Sequence, residues 1–118
     1  AHCVGPDFAL YSGNDDITVP ILSIGGSGVI SVYANVMPAM CHQIVADWLG
    51  GNHARALENH LRYLKLMNDL FLEVNPIPVK AAMNMMGLNV GPVRLPLCEM
   101  GEANAAVLRR TLEEAGLL

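Results

Sequence analysis

Phe8-Ala9-Leu10-Tyr11 runs into Ser12-Gly13-Asn14-Asp15, and Gly25-Gly26-Ser27-Gly28 runs into Val29-Ile30-Ser31-Val32-Tyr33. Both apolar stretches are short and rich in aromatic or β-branched residues, and both are bounded by Gly/Asn turns, which reads as two strands. Between them, Asp16-Ile17-Thr18-Val19-Pro20-Ile21-Leu22-Ser23-Ile24 has the length of one short crossover helix. Strand, helix and strand in so small a span predict one right-handed βαβ unit and therefore a parallel pair. Two parallel strands cannot cover both of their faces or close on themselves, so they need neighbours. After Tyr33 no further strand candidate follows. The layout predicts the closing portion of a larger α/β structure, mostly helical by residue count.

Outward from that stretch, punctuation divides the chain. Pro6 and Asp7 lead into the first strand, and Asp15-Asp16 suit the first turn of the crossover helix, where backbone N–H groups favour carboxylates. Pro20 fits only within that first turn or at a late helix start. Gly25-Gly26 stops the helix. Asn35 is placed to cap a helix from Pro38 to Leu49, closed by Gly50-Gly51. Asn52 caps the longest helix, about Ala54 to Leu72, with Leu57, Leu61, Leu64 and Phe71 on one face and Met67 and Leu70 widening the stripe. Asn75-Pro76 predicts a capped helix running to Gly87. A loop with Pro92 and Pro96 follows, then a helix from Glu102 to Ala115 with Val107, Leu108 and Leu112 inward. Residues 1–49 thus form a βαβα part and residues 50–118 a helical extension.

Of the 118 residues, 53% are hydrophobic and 15% charged, ample for a core and unlike a disordered chain. A net charge of −4 without clustered Lys and Arg argues against nucleic-acid binding. No basic amphipathic face suggests a membrane surface, and no apolar run approaches the ~20 residues that span a bilayer. Cys3, Cys41 and Cys98 show no C-x-x-C spacing and read as buried reduced thiols of a cytoplasmic protein. The first residues carry no signal pattern and no start methionine, which is expected of a chain cut from something longer and equally of a tag remnant or a removed methionine.

Several residues invite chemical readings that plainer ones answer. Asp15-Asp16 could be an acid/base pair, but helix capping accounts for them. Gly25-Gly26-Ser27-Gly28 precedes a strand, so it lacks the N–H-rich helix start of a phosphate cradle. His42, His53 and His60 have no metal-ligand spacing and read as exposed or core histidines. No metal site is expected. Met83, Met85 and Met86 read as flexible packing, and Asn75 as a helix cap. Lys65 and Lys80 are the only lysines; neither falls on a strand end, and both read as surface residues.

Three strings, Leu10-Tyr11-Ser12-Gly13-Asn14-Asp15, Gly25 through Val36, and Asn75-Pro76-Ile77-Pro78-Val79-Lys80, resemble the dihydrodipicolinate synthase family in order and spacing. The resemblance extends through Arg94-Leu95-Pro96 to the Glu113-Glu114-Ala115-Gly116-Leu117-Leu118 ending, essentially the whole chain. Sibling aldolases such as N-acetylneuraminate lyase share the fold but match these strings less well.

The resemblance implies the last two βα units of a (β/α)₈ TIM barrel followed by a C-terminal helical extension. A complete barrel takes roughly 250 residues. It also implies a class I aldolase of lysine biosynthesis, in which a sixth-strand lysine forms a Schiff base with pyruvate and the enamine attacks aspartate semialdehyde. No cofactor is implied. That lysine and the tyrosine and threonine proton relay lie upstream of this chain, so it holds no catalytic residue and is expected to be inactive by itself; Tyr33 matches no relay position. Two positions carry over as substrate-binding: Gly13, whose backbone lines the pocket, and Ile30, whose main-chain carbonyl approaches the Schiff base while its side chain fills the barrel interior. A homo-oligomer, or association with the missing N-terminal portion, is expected. The competing reading is a non-catalytic helical interaction module that assembles through open strand edges and apolar helix faces.

Overall fold

The computed structural model describes Gly5 and residues 7–118; Cys3 and Pro6 lie outside the described residues. In chain order it contains β1 (Tyr11–Ser12), a 3-10 turn (Asp15–Ile17), α1 (Thr18–Ser23), β2 (Gly28–Val29), a second 3-10 turn (Tyr33–Asn35), α2 (Pro38–Leu49), α3 (His53–Asp69), α4 (Ile77–Met85) and α5 (Glu102–Glu114). Among the described residues, no helix is long and apolar enough to cross a membrane. The chain divides into two compact units, residues 1–64 and residues 65–118, with the division inside α3.

In the first unit β1 and β2 pair in parallel, Tyr11 opposite Gly28 and Ser12 opposite Val29, as the strand-helix-strand order predicts. Both strands are shorter than the apolar runs. Phe8 is exposed, and the chain turns helical at Val32, so Tyr33 sits in a 3-10 turn instead of ending a strand. Pro20 falls in the first turn of α1, where its missing N–H costs nothing. That helix ends as Gly25-Gly26 predicts: Gly25 adopts φ +96°, its N–H donates to Leu22 O, and Gly26 N–H donates to Ile21 O. A Cβ on Gly26 would lie 2.6 Å from Ile21 Cγ2 and 2.7 Å from Ile21 O, so no larger residue fits.

The α1 helix packs against α2 and β2, burying Val19, Leu22, Tyr33, Val36 and Ile44. Asn35 does not cap α2; Met37 holds that position, and the Asn35 side-chain amide donates to Val32 O. Asn52 does cap α3, its Oδ1 accepting Arg55 N–H at 3.4 Å. Buried Asp47 of α2 accepts from Gln43 Nε2 at 2.9 Å and from Arg55 Nε at 2.8 Å. The Arg55 guanidinium holds that carboxyl below its ordinary range.

The inward face of α3 is not the leucine stripe. Leu57 and Leu61 are 44% and 57% exposed, while Met67 and Leu70, expected to widen the stripe, are buried as expected, together with Ala56, His60 and Leu66. In the first half of the helix the smaller and more polar residues turn inward.

In the second unit α4 packs against α5, with Ile77, Val79, Ala82, Leu108 and Leu112 buried. Val107, expected inward, is exposed. Asn75 caps nothing: Pro76 occupies the cap position of α4, and Ile77 N–H donates to Val74 O. Glu73 Oε1 accepts Gly101 N–H and Asn104 Nδ2 at 2.9 Å each, placing a carboxylate at the start of α5. Thr111 Oγ1 donates to Asp69 Oδ2 at 2.6 Å, and Lys65 Nζ donates to the same oxygen at 2.6 Å and also contacts Thr111 Oγ1. Met83, Met85 and Met86 are half-buried. Cys41 is a buried thiol as expected, but Cys98, in the segment between α4 and α5, is exposed.

Candidate functional site

Gly13 and Ile30 each stand one residue past the C-terminal end of a strand, β1 and β2 respectively. Parallel pairing continues to them: Ile30 N–H donates to Ser12 O at 2.8 Å, so the two loops leave the sheet side by side. Gly13 is exposed, has no positive φ, and a Cβ there would meet nothing within 4 Å. Among the described residues, neither backbone conformation nor packing demands glycine at that position, which leaves open space at a strand end. The Ile30 side chain is 71% exposed.

Two buried polar side chains shape these loops. Ser12 Oγ donates to Asn14 O at 2.6 Å and accepts Asn14 N–H at 3.2 Å, closing a tight turn around Gly13. Asp15 is 2% exposed, and its Oδ2 accepts the N–H groups of Val32 at 3.0 Å and Tyr33 at 2.9 Å. The expectation that Asp15 caps the crossover helix is thereby corrected, because no side chain caps the 3-10 turn or α1. The carboxylate instead meets amides that continued pairing would have left without partners. Adjacent Asp16 is half-buried, and its carbonyl lies 3.0 Å from Nε2 of His60. His60 is a core histidine; burial pushes its pKa down, and its Nδ1 has no partner among the described residues.

The other candidates lie elsewhere. Lys65 ion-pairs with Asp69, and Lys80 Nζ donates to Pro92 O at 2.6 Å, so neither stands at a strand end. Tyr33 is buried, its OH donating to Met37 Sδ at 3.2 Å, and burial raises its pKa far above the usual phenol range. His42 and His53 are exposed. A cavity of about 280 Å³ lined by Ile77, Lys80, Asn84, Val93 and Cys98, and a groove of about 330 Å³ beside Tyr11, Gly28, Cys41 and His42, include neither Gly13 nor Ile30. Sequence reasoning passed over the buried roles of Ser12 and Asp15, since Asp15 and Asp16 are indistinguishable as adjacent letters.

Parallel strands joined by a crossover helix define an α/β protein. The chain matches the model of the dihydrodipicolinate synthetase family over residues 1–115. It is 53% identical over 113 residues to the 4-hydroxy-tetrahydrodipicolinate synthase of Acetivibrio thermocellus, covering 96% of this chain and 39% of that protein. Among solved structures, it superposes on the dihydrodipicolinate synthase of Thermotoga maritima with a TM-score of 0.92 at 46% identity, covering 95% of this chain and 38% of that one. The enzyme of Cyanidioschyzon merolae with lysine bound gives a TM-score of 0.94 at 42% identity, covering 99% and 40%.

The chain belongs to the dihydrodipicolinate synthetase family. Its fold is the last two βα units of a (β/α)₈ barrel followed by a helical extension. It spans about 40% of the length of the relatives it matches.

Proposed function

We propose that this chain supplies the closing part of a pyruvate-dependent class I aldolase of the dihydrodipicolinate synthase type, which condenses pyruvate with aspartate semialdehyde in the cytoplasm. Residues 1–49 contribute the last two βα units and one wall of the pyruvate pocket, and residues 50–118 the helical extension. The observation that carries this reading is the pair of strand-end loops joined by the Ile30 N–H to Ser12 O bond, which puts Gly13 and Ile30 together at the carboxyl edge where barrel sites are built. Open space at Gly13 lets a ligand approach the main chain closely.

Schiff-base chemistry needs an amine whose pKa is lowered so that it is a nucleophile near neutral pH. Lys65 is paired with Asp69, Lys80 donates to the Pro92 carbonyl, and neither lies at a strand end. On the resemblance to the family, the reactive lysine lies in the upstream portion. Exposed Phe8, Tyr11 and Ile30 supply apolar surface for association with that portion or, in its place, for self-association into a homo-oligomer.

Assembly with the upstream portion of the Acetivibrio thermocellus synthase tests the proposal. Borohydride in the presence of pyruvate should leave the mass of this chain unchanged when it is alone, and should trap a pyruvyl adduct on the upstream portion in the assembly, with condensation activity restored. An adduct on Lys65 or Lys80 would overturn the reading. An inactive but stable assembly would favour a helical interaction module.

A further inference from the structure

We propose that Asp15 is a positioning residue for the reaction: its buried carboxylate fixes the main chain that follows Ile30 against the loop that carries Gly13. The inference rests on the reading of the site given above and extends it to a residue that touches no substrate.

The geometry is a double anchor. At one end Ile30 N–H donates to Ser12 O at 2.8 Å; at the other, Val32 and Tyr33 N–H donate to Asp15 Oδ2 at 3.0 and 2.9 Å. All the acceptors come from Ser12 and Asp15, the ends of the four-residue turn that contains Gly13. The peptide units of Ile30 and Ser31 are therefore suspended between two fixed points. The turn is itself braced, by the Ser12 Oγ bonds to Asn14 and by His60 Nε2 at the Asp16 carbonyl.

A carboxylate suits this task. Two N–H donors converge on one oxygen, and bonds to an ionised acceptor are shorter and stronger than neutral ones. The adjacent carboxylate does no such work: Asp16 is half-buried and engages His60 through its carbonyl. Asp15 could have capped the helix that starts beside it, yet it reaches across to the other strand's exit, which a purely local stabilising role would not require. A main-chain carbonyl serving a reacting centre has to be held to within roughly 0.5 Å.

The test uses the assembly with the upstream synthase portion, comparing Asp15→Ala and Asp15→Asn with the unsubstituted chain. Turnover is expressed per active site, counted as borohydride-trapped pyruvyl adduct. Asp15→Ala should lower turnover per trapped site on the order of 100-fold. Asp15→Asn, which keeps the size and one acceptor oxygen, should recover part of it. A merely structural role would reduce the number of trapped sites and leave each at full rate, and that result overturns the assignment. Where Asp15→Ala does not fold, Asp15→Asn carries the test alone: full turnover per site rejects the inference and reduced turnover supports it. An unsubstituted assembly that traps no pyruvate overturns the reading beneath and this inference with it, whereas an active assembly indifferent to both substitutions overturns only the role of Asp15.

Discussion

Asp15 and Asp69 are both buried carboxylates that each accept two hydrogen bonds on a single oxygen, yet they do different work. Asp15 receives two main-chain amides from the exit of β2, while Asp69 receives the side chains of Lys65 and Thr111. One holds loops between two-residue strands; the other ties a buried threonine of α5 to the last turn of α3. The contrast follows from what surrounds each. The second unit encloses Leu70, Ala82, Leu108 and Leu112 completely, so dispersion and burial hold it and the polar group adds to an existing core. The strand ends offer little apolar burial, with Phe8, Tyr11 and Ile30 exposed, so hydrogen bonds set their geometry. If, as proposed, that backbone meets a ligand, it cannot be packed over, and polar anchors from beneath are the remaining means of fixing it.

The sharpest way to separate the regions is to damage the packed one. Leu112→Ala should cost about 2–5 kcal/mol in urea unfolding, whereas Val107→Ala, on the exposed side of the same helix, should stay within ~0.5 kcal/mol. Equal costs would mean that α5 packs by another face.

Glycine substitutions probe the strand region next. Gly26→Ala drives a methyl into Ile21 and should destabilise by about 1–3 kcal/mol by thermal unfolding. Gly13→Ala, whose added carbon meets nothing, should leave stability within ~0.5 kcal/mol while weakening pyruvate uptake in the assembled enzyme. Pyruvate uptake undiminished in Gly13→Ala would remove Gly13 from the site. Thr111→Val keeps the volume and deletes a hydroxyl bonded to a carboxylate; a loss of about 1–3 kcal/mol is expected from denaturant midpoints, and no loss would show Lys65 alone satisfies Asp69.

The smallest effect is one of pH. His60 has its pKa lowered from 6.5, chiefly by burial, so the folded chain resists a proton that the unfolded chain accepts. Stability contributed by the neutral ring is complete above pH 6.5 and lost as pH falls below it, toward the lower folded pKa. His60→Gln should flatten that limb in thermal melts taken across pH 5 to 8. An unchanged slope would assign the acid sensitivity to other groups.

Much of the architecture is legible in local letters. Turn residues at both ends of two apolar runs, Pro20 inside a first turn and Gly25-Gly26 at a helix stop each act over one to four residues, and the parallel βαβ unit follows from them. The bounds of α2 and the start of α5 are legible for the same reason, and so is the Asn52 cap. The inward face of α3 is legible only in part: Met67 and Leu70 are buried as expected, but Ala56 and His60 turn inward where Leu57 and Leu61 make the stronger apolar stripe on paper. At the candidate site, Gly13 and Ile30 could be named from the strings that contain them; the anchors beneath could not.

Element order, the parallel sense of the strands and the helix stops are properties of short segments, governed by backbone sterics and turn chemistry that neighbouring residues impose. Which carboxylate is buried, where each strand gives out and which side of α3 turns inward depend on partners 17 or more positions away, such as Asp15 with Val32 and Thr111 with Asp69. A hydrogen bond across that separation exists only once the chain has closed, because its free energy is set by desolvation and by the atoms that close in around it.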